Sequence, residues 1–301
     1  MELLGLFTSN LLPVFLTAGA GWLLAAKLRT DARPLAQVGL YVLAPCLVLD
    51  IILRNAMAPG ALLRMMGYAF AALALPGVLA FGFARWRGWP RTRTSALVLT
   101  ALLTNAGNYG MSVNLLAFGQ GALVQASLFF LASAIVSYTA GVFVASMGRA
   151  GLRDSLIGLL RIPTVWAVAL AFAMNAFGLK LPGPVDSSVK LLSSACIPVF
   201  LLVLGMQLRG ARLEGPAGPL VAGTALRLVG GAAAGIVLAP LFGLSGVARQ
   251  AGVLQAAMPS AVISTILATE YDVEPGFVTS VVLLTTLLSP FTLTPLMAWL
   301  R

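Results

Sequence analysis

The chain has 301 residues, 59% of them hydrophobic and 9% charged, with a formal net charge of +10. An ordinary soluble domain carries about 25% charged residues, so the composition excludes a water-soluble globular protein and implies an integral membrane protein. The basic residues fall in short groups between apolar runs and form no stripe, which argues against nucleic acid as a partner and for topology signals facing a lipid bilayer.

The first apolar run, from Leu3 to about Ala26, is too long for a signal-peptide core and lacks a basic start, Glu2 being its only early charge. It reads as a mature span. Since a spanning helix takes roughly 20 apolar residues, spans are predicted near residues 3–26, 35–53, 62–84, 95–118 and 121–147. A second set follows near 162–179, 187–207, 218–242, 248–269 and 275–300. The expected fold class is therefore an all-α polytopic membrane protein of about ten transmembrane helices.

Loop charges orient these spans. Lys27, Arg29, Arg33, Arg85, Arg87, Arg91, Arg93, Arg149, Arg153, Arg161, Arg209 and Arg212 make twelve basic residues on one side. Arg54, Arg64, Lys180, Lys190, Arg249 and Arg301 make six on the other. By the positive-inside rule the twelve face the cytoplasm, giving a multi-pass protein of the plasma (bacterial inner) membrane with both termini outside.

Several polar residues interrupt the spans. Asp50 and Arg54 stand four apart near the outer end of the second span, on one helix face. They suit an interfacial pair that snorkels to water or an ion relay, and with no histidine in the chain a coupling proton would need a carboxylate such as Asp50. Cys46 and Cys196 sit in apolar runs beside prolines and read as small buried hydrophobes, not a disulfide. Arg227, inside the eighth span, either reaches back to the interface or faces the bundle as a partner for substrate. With Asp50 it is a candidate for ion coupling. Glu270, Asp272 and Glu274 suit a solvated loop or a gate.

The most informative interruption is "TNAGNYGMSVN", residues 104–114, in the middle of the fourth span. Backbone groups in hydrocarbon must be hydrogen-bonded within their own segment, so a break at depth is tolerated only inside protein or beside a wet cavity. Gly107 and Gly110 weaken the helix and allow conformations closed to other residues, while Asn105, Asn108, Tyr109, Ser112 and Asn114 offer polar groups to the freed backbone or to a ligand. The ninth span supplies a counterpart in "LQAAMPSAVIST", residues 254–265. There Pro259 removes a donor and suits the first position of a new half-helix, with Gln255, Ser260, Ser264 and Thr265 around it.

Five spans on each side of about residue 155 suggest a duplication. Pro45 in "LAPCLVLDIILR" and Pro198 in "CIPVFLLVLGMQLR" are offset by 153 residues, and Asn105 and Pro259 by 154. An odd number of spans per repeat makes the halves, 1–150 and 151–301, inverted, the plan of many secondary transporters. If both broken helices cross, each second half turns its positive amino end to the crossing, and an anion can sit there without a buried cation. The competing reading is that small and polar residues merely allow close packing and cross-helix hydrogen bonds.

With "TNAGNYGMSVNLLAFG" (104–119), "IPVFLLVLGMQL" (197–208), "AAMPSAVISTILATEYD" (256–272) and the Thr/Ser/Pro-rich "LLTTLLSPFTLTPLM", the chain resembles the auxin efflux carrier family over essentially its whole length. The resemblance implies a ten-helix fold of two inverted five-helix repeats with crossed fourth and ninth helices. It further implies a substrate held at the crossing by Asn105, Asn108, Tyr109, Gly110, Pro259 and Ser260, and an elevator-like movement. Family members often have proline after the "NYG" or "NTG" element, where this chain has Ser112. The bile acid:sodium symporters share a similar plan, so proton or sodium coupling both stay open. No cofactor is expected. A homodimer is compatible with the resemblance. The expected activity is secondary transport of a small organic anion such as a carboxylate, the alternatives being a sodium-coupled symporter or a non-transporting membrane sensor. The absence of histidine and of a midspan carboxylate pair argues against an enzyme.

Overall fold

A computed structural model describes residues 2–55, 59–147 and 163–301. Arg149, Arg153, Arg161 and the expected repeat boundary lie outside the described residues. Among these residues the fold is all helix, with one isolated two-residue bridge and no strand.

Among the described residues seven helices are long and apolar enough to cross a membrane. They are α1 (Leu3–Leu28), α2 (Ala32–Arg54), α3 (Pro59–Trp86), α5 (Ala106–Ala145), α7 (Gly183–Leu208), α8 (Ala217–Leu241) and α11 (Pro275–Leu300). Four shorter helices complete the order: α4 (Arg91–Leu102), α6 (Pro163–Ala176), α9 (Gly246–Ala256) and α10 (Ile263–Glu270). The continuous run of α5 bends at Gly119, whose φ of 78° and ψ of −167° are open to glycine and strained for other residues. Two of the spans expected from sequence are interrupted: 95–118 parts after Leu102, and 248–269 parts after Ala256.

The helices pack as two sets. α1, α2, α6 and α7 form one, joined by α1 on α7, α2 on α6 and α2 on α7. The other gathers α3, α4, α5, α8, α9, α10 and α11, in which α3 holds α4, α5 and α8, while α9 lies between α5 and α8. The α1/α7 contact is close because a glycine from each helix faces its partner's backbone. A β-carbon on Gly205 would strike the Ala18 carbonyl, and one on Gly21 would strike Leu202. Apolar helices in lipid associate through such packing, with no water to expel. The bundle has an outside to match: Leu63, Val78, Phe81, Trp166, Leu191 and Phe291 are all more than half exposed, as a lipid-facing surface requires.

Candidate functional site

The two interruptions lie against each other. Leu103 and Thr104 leave the helix in extended conformation, and Thr104 pairs antiparallel with Ser260. Asn105 N donates to the Pro259 carbonyl and Ala261 N to the Leu103 carbonyl, both at 2.8 Å. Each unwound stretch thus satisfies the other's backbone, which is how irregular chain is tolerated away from water. Side chains complete the junction. Ser260 Oγ donates to the Thr100 carbonyl at 2.7 Å, Thr285 Oγ1 of α11 accepts from Ser260 N at 3.1 Å, and Thr104 Oγ1 reaches the Gln255 and Met258 carbonyls at 3.2 Å.

The junction has two unlike faces. On one, α4 and α9 end, and their last carbonyls lack intrahelical partners. Arg227 of α8, with no exposed surface, donates from one Nη to the Ala101 carbonyl at 2.6 Å and from the other to the Ala256 carbonyl. One full positive charge therefore meets two helix ends of roughly half a negative charge each. Gly231 leaves room for the guanidinium, since a β-carbon there would strike it.

On the other face α5 and α10 begin, and their first N–H groups lack intrahelical acceptors. These amino ends border a cavity of about 160 Å³ through Asn105, Gly107, Asn108, Ala261, Val262 and Ile263. The opposite wall comes from the other helix set: Ala36 and Leu40 of α2, and Phe200, Val203 and Gln207 of α7. The described lining holds no lysine, arginine or carboxylate. Asn105 Nδ2 and Gln207 Oε1 are buried without a hydrogen-bond partner, and both residues line the cavity. Past Leu40, Tyr138, Gln207 and Ile266 it joins a vestibule of about 990 Å³ that holds Arg33, Arg209 and Arg212 together with Asp31 and Glu270.

The residues singled out from sequence divide between cavity and framework. Asn105 and Asn108 line the cavity. Gln255 Nε2 ties the Ala106 and Ala126 carbonyls at 3.2 and 3.1 Å. Tyr109 is fully buried with its hydroxyl 2.9 Å from Ser289 Oγ, and Asn114 Nδ2 donates to the Gly110 carbonyl at 2.8 Å. Ser112 Oγ donates to the Asn108 carbonyl at 3.3 Å, Ser264 Oγ to the Leu99 carbonyl at 3.5 Å, and Pro259 and Ser260 belong to the bridge.

Two details differ from the sequence reading. The break falls at residues 103–105, ahead of the two glycines, neither of which has positive φ. Gly107 and Gly110 instead permit contact, their faces lying against the Phe130 ring and Gln255 Oε1. Pro259 sits in the unwound stretch, four residues before α10 begins. Asp50 and Arg54 form the pair offered by their spacing: Arg54 Nε and Ser193 Oγ donate to the Asp50 carboxylate, and Arg54 also reaches Asp186 at 3.0 Å, tying α2 to α7. Both cysteines are free. Of the polar cavity residues not found from sequence, Gln207 and Ser133 stand as single polar groups in apolar runs, while Ser137 and Tyr138 belong to the short polar cluster of residues 137–139.

A helical bundle with apolar outer faces and an internal polar junction beside a vestibule is the architecture of a polytopic membrane protein, and its similarity to known proteins makes it a membrane transporter. The family described as membrane transport protein matches residues 145–297, half of the chain. An uncharacterized transporter of Methanothermobacter thermautotrophicus is 28% identical over 262 residues, 86% of each chain. An uncharacterized transporter of Methanocaldococcus jannaschii is 23% identical over 265 residues, again 86% of each. A probable auxin efflux carrier component of Oryza sativa is 31% identical over 144 residues, 46% of this chain and 39% of that one. The chain belongs to this membrane transport protein family, the family of the auxin efflux carriers.

Proposed function

We propose that this transporter moves a small organic anion, such as a carboxylate, across the plasma membrane by alternating access. The observation that carries the reading is the cavity built from two helix amino ends with no charged side chain in its described lining. Two such ends bring about one positive charge in total toward a bound carboxylate, without the burial penalty of lysine or arginine. Asn105 and Asn108 supply side-chain amides at the same place. Tyr109, Gly110, Ser112, Asn114, Gln255, Pro259, Ser260 and Ser264 hold the junction that presents them.

In this reading α4 with the first limb of α5 is the fourth of ten spans, and α9 with α10 is the ninth. The halves 1–150 and 151–301 are inverted repeats, both termini face outward, and the two broken spans cross. The cavity lies between the two helix sets, so an elevator-type displacement of one set against the other would carry the amino ends and their anion from one side to the other. The arginine-bearing vestibule is the route on the cytoplasmic side. Asp50 is the candidate for a coupling proton, and Arg227 holds the carbonyl ends. A homodimer is a further part of the proposal, through surfaces away from the cavity.

Purified protein in liposomes tests the function. Flux of at least one member of a panel of carboxylates and indole acids is expected, measured with and without sodium. No flux across the panel would overturn the transport of organic anions, and flux only with sodium would move the protein to the symporter class.

A further inference from the structure

A second cavity, away from the junction, lies at the arginine-rich end of the bundle. It is a groove of about 380 Å³ between the end of α3, the start of α4 and the end of α5. On α3 its lining passes from Arg85 to Phe81, one turn deeper. On α4 it passes from Arg91 through Thr94 and Ser95 to Val98, about 10 Å deeper at ~1.5 Å per residue. Phe143 and Val144, at the end of α5, form an apolar wall, and Trp89 lines the groove with its ring edge-on to Phe83 at 5.6 Å. Charge and hydroxyls at the helix ends with aromatic and aliphatic surface below them follow the profile of a lipid at the membrane interface, where tryptophan also concentrates.

Among the described residues two charges at the rim are unanswered. The neighbouring Arg93 is paired with Glu274 at 3.1 Å. Arg85 and Arg91 have no carboxylate partner among the described residues, and the described lining contains no acidic side chain. Two guanidinium forks suit a phosphodiester, to which they donate in pairs. Among the described residues, no acidic side chain lines the groove to receive the ammonium of a zwitterionic headgroup. Phe81 and Phe143, each about half exposed at 54% and 52%, offer surface for an acyl chain.

We propose that this groove is a binding site for one phospholipid with an anionic headgroup, its phosphate between Arg85 and Arg91 and its acyl chain along Phe81, Val98 and Phe143. The proposal is independent of the transported substrate. Because α4 runs from this groove to the break at Leu103, an occupied groove fixes the first turn of the helix that forms half of the junction.

The test uses the full chain, delipidated in neutral detergent, with its unfolding midpoint followed while phosphatidylglycerol, phosphatidylcholine or soluble glycerol 3-phosphate is added. Phosphatidylglycerol is expected to bind on the order of ten- to thirtyfold more tightly than phosphatidylcholine, about the preference two arginines supply at a membrane surface. In the double variant Arg85→Gln/Arg91→Gln that preference is expected to vanish while the response to phosphatidylcholine stays. Equal responses to the two lipids in the unaltered chain overturn the proposal without recourse to any variant, and so does an unchanged preference in the double variant. A full shift with glycerol 3-phosphate alone overturns the lipid as occupant and makes the groove a site for free phosphate esters.

Discussion

The two faces of the junction are made from the same breaks and differ in what completes them. On the carbonyl face the protein supplies its own counter-charge, since Arg227 closes both α4 and α9 with no surface exposed. On the amino face nothing charged closes α5 and α10, and an amide hydrogen-bonding group of Asn105 is left over. A buried group without a partner lowers stability by about 1–3 kcal/mol; Arg227 Nε is also left without one on the carbonyl face, but only the Asn105 group borders the cavity, and in the proposed function a ligand completes it. The contrast separates framework from site: substitutions on the first face should act on folding, those on the second on ligand response.

The largest effect is expected from Arg227→Met, which strips charged donors from two buried carbonyls at about 1–3 kcal/mol each. Thermal unfolding in detergent should show a fall of several degrees or failure to fold, with Arg227→Lys intermediate because one ammonium does not span both ends. Next comes Gly110→Ala, which drives a β-carbon into Gln255 Oε1. Overpacking of this kind destabilises by about 1–3 kcal/mol, and the same unfolding measurement should register it. Asn105→Ala should hold or raise the midpoint, since it removes a buried Nδ2 that has no partner, yet weaken carboxylate-induced stabilisation about tenfold in ligand concentration, or ~1.4 kcal/mol. If it instead lowers stability as much as Arg227→Met, the two faces are not distinct.

Pro259→Ala should have a smaller effect on ligand response than Asn105→Ala, because the carbonyl that accepts from Asn105 N is kept. The smallest change is expected from Glu274→Gln. Its partner Arg93 is 31% exposed in the side chain, and partly solvated pairs contribute about 0–1 kcal/mol, so the unfolding midpoint should move by no more than a degree or two.

How much of this was legible in the sequence follows from range. The apolar helical character was legible because apolar runs bounded by charge are a local signal. The division into ten spans was not borne out as drawn: among the described residues seven helices are long enough to cross, and one of them, Ala106–Ala145, runs through parts of two predicted spans. The two polar motifs were also legible as irregular, because Pro259 and the Asn/Gly cluster act on their own backbone. The actual break at Leu103 and Thr104 was not, since neither residue opposes a helix. They leave it because residues 259–261 offer hydrogen bonds that compensate, a contact made across more than 150 positions of chain. The destination of Arg227 was hidden for the same reason: its acceptors lie 126 and 29 residues away. Gln207 gave only the weak sign of one amide in an apolar run, and its role as a cavity wall depends on how two helix sets face each other.

The most direct measurement compares each carboxylate with its uncharged amide of the same shape, as ligands of the unaltered protein and of Asn105→Ala, by the shift each produces in the unfolding midpoint. The account expects at least one carboxylate to stabilise the unaltered chain where its amide does not, and to lose most of that effect in the variant. Equal stabilisation by acid and amide, or a preference for cations, would contradict it.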